Sequence, residues 1–171
     1  MTPFPKQLIW LTAALFTALC GVAVWLSFAF PAPHVQALVL FCALMVFSAN
    51  REVRLANNMF VSPASMVTVA AVVVFGHGQE LLGVLAVGAC AGLMATCLTR
   101  DRWGWLAFNG SLQGLAAAGA ALAYATLTLS LSESLPEALF PLGAATAVYI
   151  LVSWAILIAS YVVELRRVPE E

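Results

Sequence analysis

The sequence predicts an all-α polytopic membrane protein, one bundle of six transmembrane helices over residues 1–171 with both termini in the cytoplasm. Three observations carry this. Six apolar stretches follow one another, separated by short polar breaks. The composition is 63% hydrophobic and 9% charged, where a soluble domain averages roughly 45–50% and about 25%. Finally, the seven Lys and Arg residues fall only in alternate breaks. Lys6 precedes the first stretch, Arg51 and Arg54 follow the second, Arg100 and Arg102 the fourth, and Arg166 and Arg167 the sixth. Loops kept in the cytoplasm retain positive charge, so the alternation predicts both the number of crossings and their direction. Glu80, Glu133 and Glu137 fall in the external loops.

The first helix is expected over residues 7–30 and ends at Pro31 and Pro33, since proline cannot donate the next helical hydrogen bond. Its apolar run is longer than a signal-peptide core of roughly 7–15 residues. Ser27 and Ala29 imitate a cleavage site, which leaves a cleaved leader open as an alternative. The second helix is expected over residues 34–49, and the polar segment 50–58 forms a cytoplasmic loop. For the third, Ser62 before Pro63 predicts an irregular or broken start, because a residue preceding proline favours extended backbone. A regular run over residues 66–75 then follows. A proline in the first turn of an ordinary helix is the simpler alternative. Residues 76–80 read as a tight external turn, and the last three helices are expected over 81–99, 105–127 and 139–164. Trp10, Trp103, Trp105 and Tyr161 fall near the cytoplasmic boundary, where amphipathic rings concentrate.

Small residues at four-residue spacing predict where helices meet. Gly88 and Gly92 form a GxxxG pair on the fourth helix, and Gly110, Gly114 and Ala118 line a stripe on the fifth. Lipid supplies no hydrophobic drive for association, so close backbone approach must provide it. A tight hairpin of the fourth and fifth helices is the simplest outcome; homodimerisation through the same stripes is the alternative.

Every Asp, Glu, Lys and Arg sits at a helix end or in a loop. That argues against a proton pump, a proton-coupled carrier, a charged-filter channel and an enzyme needing acid–base pairs or an activated nucleophile. No basic surface for nucleic acid is present, and no cofactor is called for. Cys20, Cys42, Cys90 and Cys97 lie in apolar stretches without a CxxC pair and read as packing residues. His34, His77 and Glu80 share the external side, where a metal or pH-sensing site is conceivable, but solvated loop residues are the better reading.

What remains is uncharged polarity. Asn109 and Gln113 share a face of the fifth helix, with Ser111 nearby. Ser62, Ser65 and Thr68 lie at similar depth on the third, and Ser153 adds a hydroxyl on the sixth. Inter-helical hydrogen bonding, worth about 0.6 kcal/mol per bond, is the plain reading; a ligand pocket between the third, fifth and sixth helices is the functional one.

Residues 61–76, the pair Arg100 and Arg102, and the run 105–113 with Phe108, Asn109 and Gln113 follow one another in an order that resembles the membrane-embedded N-terminal regions of bacterial signalling proteins carrying HD-GYP or GGDEF domains. The likeness extends over roughly residues 45–165. It implies a bacterial inner-membrane sensory module that passes a signal to a cytoplasmic signalling domain. Such regions often carry Asn on the sixth helix where this chain has Ser153, and no HD pair or GGDEF motif is present. In size and helix count the chain is also similar to the substrate-binding S components of energy-coupling-factor transporters, which implies a coupling subunit as partner. A purely structural membrane protein is the third alternative.

Overall fold

A computed structural model of the chain describes residues 6–49, 53–54, 60–61, 63–98, 103–129 and 135–165. Its helices are α1 (Lys6–Ala29), α2 (Val35–Ala49), α3 (Pro63–His77), α4 (Leu81–Leu98), α5 (Trp103–Thr128) and α6 (Leu135–Leu165). Between α2 and α3, β1 (Val53–Arg54) and β2 (Phe60–Val61) pair antiparallel, Val53 opposite Val61 and Arg54 opposite Phe60. Sequence reasoning expected a plain loop there; two residues per strand carry too little alternation to reveal a ladder. Ser62, Arg51, Arg100, Asp101, Arg102, Glu133, Arg166 and Arg167 lie outside the described residues.

One element takes the simpler of two readings and one differs from expectation. α3 begins at Pro63 itself, an ordinary helix with proline in its first turn, rather than at Met66. A proline at the first helical position lacks only an N–H that would have had no intrahelical partner, so the helix starts there without a break. α6 begins at Leu135 and runs through Pro141, which is fully buried.

Among the described residues three helices are long and apolar enough to cross a membrane: the spans Gln7–Ala29, Trp103–Thr128 and Leu139–Val162. α2 and α3 have 15 residues each. That is about 23 Å of helix, short of a hydrocarbon core of about 30 Å. Large apolar side chains nevertheless dominate the exposed helix faces among the described residues. Trp10, Phe28, Phe47, Trp103 and Trp154 all stand exposed, Phe28 by 87%. A surface of this kind far exceeds what a soluble monomer tolerates, and marks association with a membrane.

α5 is the central helix. It packs against α1, α3, α4 and α6, most extensively against α4. The main core gathers Leu26, Met45, Val72, Phe75, Leu81 and Val84 around it. Phe41 of α2 meets Phe75 of α3 with ring centroids 5.5 Å apart. A smaller cluster joins Leu8, Phe108 and Leu112, with Trp105 and Ile156 against it.

The α4–α5 contact is as close as backbones allow. A methyl group on Gly92 would lie 2.0 Å from the Asn109 carbonyl oxygen, and one on Gly88 would lie 2.6 Å from the Gln113 oxygen. Gly110 faces Leu93, Gly114 faces Leu19 of α1, and Ala118 is buried in the main core. Both small-residue stripes are thus occupied within the chain.

Candidate functional site

Helices α5 and α6 run antiparallel, and their register places the polar residues. Ala120 and Ala145 line one crevice, Gln113 meets Tyr149, and Phe108 shares a cluster with Ile156. Residue numbers therefore rise along one helix as they fall along the other. One turn beyond the Gln113–Tyr149 pair, the same register brings Asn109 and Ser153 to a common level.

The Tyr149 hydroxyl donates to Gln113 Oε1 across the two helices. Thr68 of α3 sits beside Tyr149, and both line a narrow crevice with Val69, Val72, Ala120 and Thr146. This crevice between α3, α5 and α6 is nowhere wide enough for a water molecule. α3 and α6 barely touch each other, so α5 forms its floor.

Ser153 and Ser111 stand apart from the other hydroxyls whose bonds are described. Thr12, Thr17, Thr68, Thr146 and Ser160 each donate to a carbonyl three or four residues earlier in their own helix. That local bond is the usual resting state of a hydroxyl in a membrane helix. Ser153 Oγ is buried and makes no hydrogen bond, and Ser111 Oγ shares this condition. Two residues along a helix correspond to about 200° of rotation, so Ser111 lies on the opposite side of α5 from Gln113 and outside the seam.

Of the expected site residues, Gln113 meets Tyr149 at the edge of this seam, and the α5–α6 register sets Asn109 and Ser153 one turn further along the same two helices. Ser65 lies one turn before Thr68 on α3 and is half-buried. Ser65 and Asn109 are each engaged by a neighbour. Ser62 falls outside the described residues. Sequence reasoning missed Tyr149. A tyrosine amid the apolar run of the last helix was the available signal, because a buried phenol hydroxyl requires a partner.

A second polar junction lies at the α3–α4 turn, and here the solvated-loop reading is corrected. His34 and His77 are exposed, but Glu80 is buried, 7% accessible. Its carboxylate accepts the His34 backbone N–H at 3.0 Å and contacts His34 Nδ1. The turn itself is a Schellman cap: the Glu80 N–H donates to the Phe75 carbonyl at 2.7 Å, and the Gln79 N–H to that of Gly76 at 3.1 Å. The left-handed position of this cap is Gln79, with φ 57°, and not the neighbouring Gly78. The Gly83 N–H then donates to the Glu80 carbonyl, and Leu38 N–H to that of His34. One carboxylate therefore sits at the N-terminal ends of both α2 and α4, where the helix dipoles favour negative charge.

Among the described residues no group of three His, Cys, Asp or Glu side chains could hold a metal ion. Chemically, the α3–α5–α6 seam offers hydroxyls and an amide, donors and acceptors without charge. No family model, curated protein or solved structure matches the chain.

Proposed function

We propose that the chain crosses the bacterial inner membrane six times with both termini in the cytoplasm, and serves as a membrane-embedded sensory module. It binds a small uncharged ligand in the seam between α3, α5 and α6 and passes the resulting change in helix packing through α6 to a cytoplasmic signalling domain. The observation that carries this reading is Ser153, a buried hydroxyl without a partner one turn from the Gln113–Tyr149 bond. A buried hydroxyl left unbonded costs about 1–3 kcal/mol, which a ligand hydrogen bond would offset. The crevice is closed to water as it stands, and α3 and α6 share so little contact that a ligand entering between them would displace few packed side chains. The transporter-subunit alternative needs small-residue stripes free for a coupling partner, whereas Gly88 and Gly92 lie against α5.

A thermal-stability screen of the purified protein against uncharged metabolites tests the reading. A binding compound raises the melting temperature of the wild type and fails to raise that of Ser153→Ala or Gln113→Ala. A compound that stabilises all three equally acts elsewhere, and a broad screen without any stabiliser leaves the seam as packing alone.

A further inference from the structure

Helices α2 and α4 share an origin. His34 precedes the first residue of α2, Glu80 precedes that of α4, and the Glu80 carboxylate holds the His34 backbone N–H at 3.0 Å. The two helices pack against each other, so they leave this junction side by side and in the same direction. Cys42 lies eight residues beyond His34 and Cys90 ten beyond Glu80. Helical rise carries them about 12 Å and about 15 Å from the junction, a difference of less than one turn. One cysteine from each helix therefore reaches the same depth. Both are half-buried, both are free, and both pack against the main core. Their side chains meet there, with Cys42 as the hydrogen-bonding neighbour of the Cys90 thiol. Cys20, by contrast, stands exposed on α1.

A single free thiol among apolar side chains is ordinarily an inert packing group. Two in contact across a helix interface differ, because each is the other's reaction partner. We infer that Cys42 and Cys90 form a redox-sensitive modification site, at which an apolar hydroperoxide closes a disulfide that ties α2 to α4 midway along both helices. One sulfur attacks the terminal oxygen of the peroxide; the O–O bond breaks, an alcohol leaves with the thiol proton, and a sulfenic acid remains. The second sulfur then displaces the hydroxyl as water and the S–S bond forms. Two thiols give up two electrons and two hydrogens, and the hydroperoxide takes both, ending as one alcohol and one water. The oxidant must reach an apolar site, which selects a hydroperoxide soluble in hydrocarbon. Closing the loop between residues 42 and 90 removes freedom from the unfolded chain, so the oxidised protein is the more stable form. The pair shares no residue with the α3–α5–α6 seam, and failure here leaves the ligand reading untouched.

Intact mass spectrometry of the full chain tests it, after treatment with cumene hydroperoxide, unfolding and alkylation. The wild type is expected to lose about 2 Da, and dithiothreitol is expected to restore it. Two of the four cysteines should then resist alkylation. Fragment mapping should join residue 42 to residue 90, a readout that needs no substitution. Cys42→Ala and Cys90→Ala abolish the loss of mass, whereas Cys20→Ala and Cys97→Ala keep it. The oxidised wild type melts several degrees above the reduced form, and Cys42→Ala shows no such shift. An unchanged mass, a cross-link mapped to any other pair, dimers joined through Cys20 in place of the internal bond, or a disulfide that leaves the melting temperature where it was would each overturn the inference.

Discussion

The carboxylate of Glu80 receives the backbone N–H of His34 from 46 residues away, and so joins the start of α2 to the turn between α3 and α4. α2 makes its contacts chiefly with α3 and α4, so this junction closes the end of the sub-bundle that those three helices form.

Removing that carboxylate uncovers a backbone donor at one helix start and forfeits the favourable charge at two. Glu80→Ala is expected to lower stability by about 1–3 kcal/mol. Glu80→Gln, which keeps an acceptor oxygen, loses clearly less. Thermal melts of both variants in one detergent separate them; equal losses would mean that the negative charge at the two helix starts, and not the acceptor oxygen, sets the effect.

Gln79 occupies a left-handed backbone position that costs a residue with a Cβ about 1–2 kcal/mol. Glycine there escapes the penalty but gives up about 0.5–1 kcal/mol of unfolded-state entropy. Gln79→Gly therefore gains a net of about 0.5–1 kcal/mol, read as a higher melting temperature. A destabilised variant would show that the Gln79 side chain contributes more than its backbone costs.

Two glycine-to-alanine changes should diverge sharply. The Cβ of Gly92→Ala would meet the Asn109 carbonyl at 2.0 Å, and neither backbone can retreat without opening the α4–α5 contact. A loss at or above the usual overpacking range of about 1–3 kcal/mol follows. Gly143 on α6 has nothing within 4 Å of the same atom, so Gly143→Ala gains up to about 1 kcal/mol from helix propensity. Parallel unfolding titrations compare the pair.

Tyr149→Phe deletes one hydrogen bond and leaves the ring in place. Its expected cost is near the membrane average of about 0.6 kcal/mol. A double-mutant cycle with Gln113→Leu isolates the coupling, and additive losses would show that the two groups contribute nothing jointly.

Ser153→Ala should behave unlike a loss of glue. Its hydroxyl has no partner to forfeit, so the unliganded variant is expected to match or exceed the wild type by about 1 kcal/mol. The same variant should lose ligand-dependent stabilisation. If the unliganded variant is instead weaker, Ser153 is bonded in solution and the seam loses its strongest feature.

What the chain alone determined is whatever depends on composition and local spacing. Apolar runs define the helices, Pro31 and Pro33 precede α2, and the Gly88 and Gly92 spacing marks the face that meets α5. Asn109, Gln113 and Ser153 were legible as candidates because a polar residue stands out in a hydrophobic helix. Tertiary structure decided the partnerships. Tyr149 becomes part of the seam only when α6 folds back antiparallel and sets it against Gln113, 36 residues away. Glu80 becomes a buried junction only when α2 returns to meet the α3–α4 turn. The left-handed position fell to Gln79 rather than Gly78 because the cap geometry is set by where α3 stops. Local spacing fixes helices because their hydrogen bonds close within four residues; a partner dozens of residues distant depends on how those helices pack, and no short window of sequence contains that.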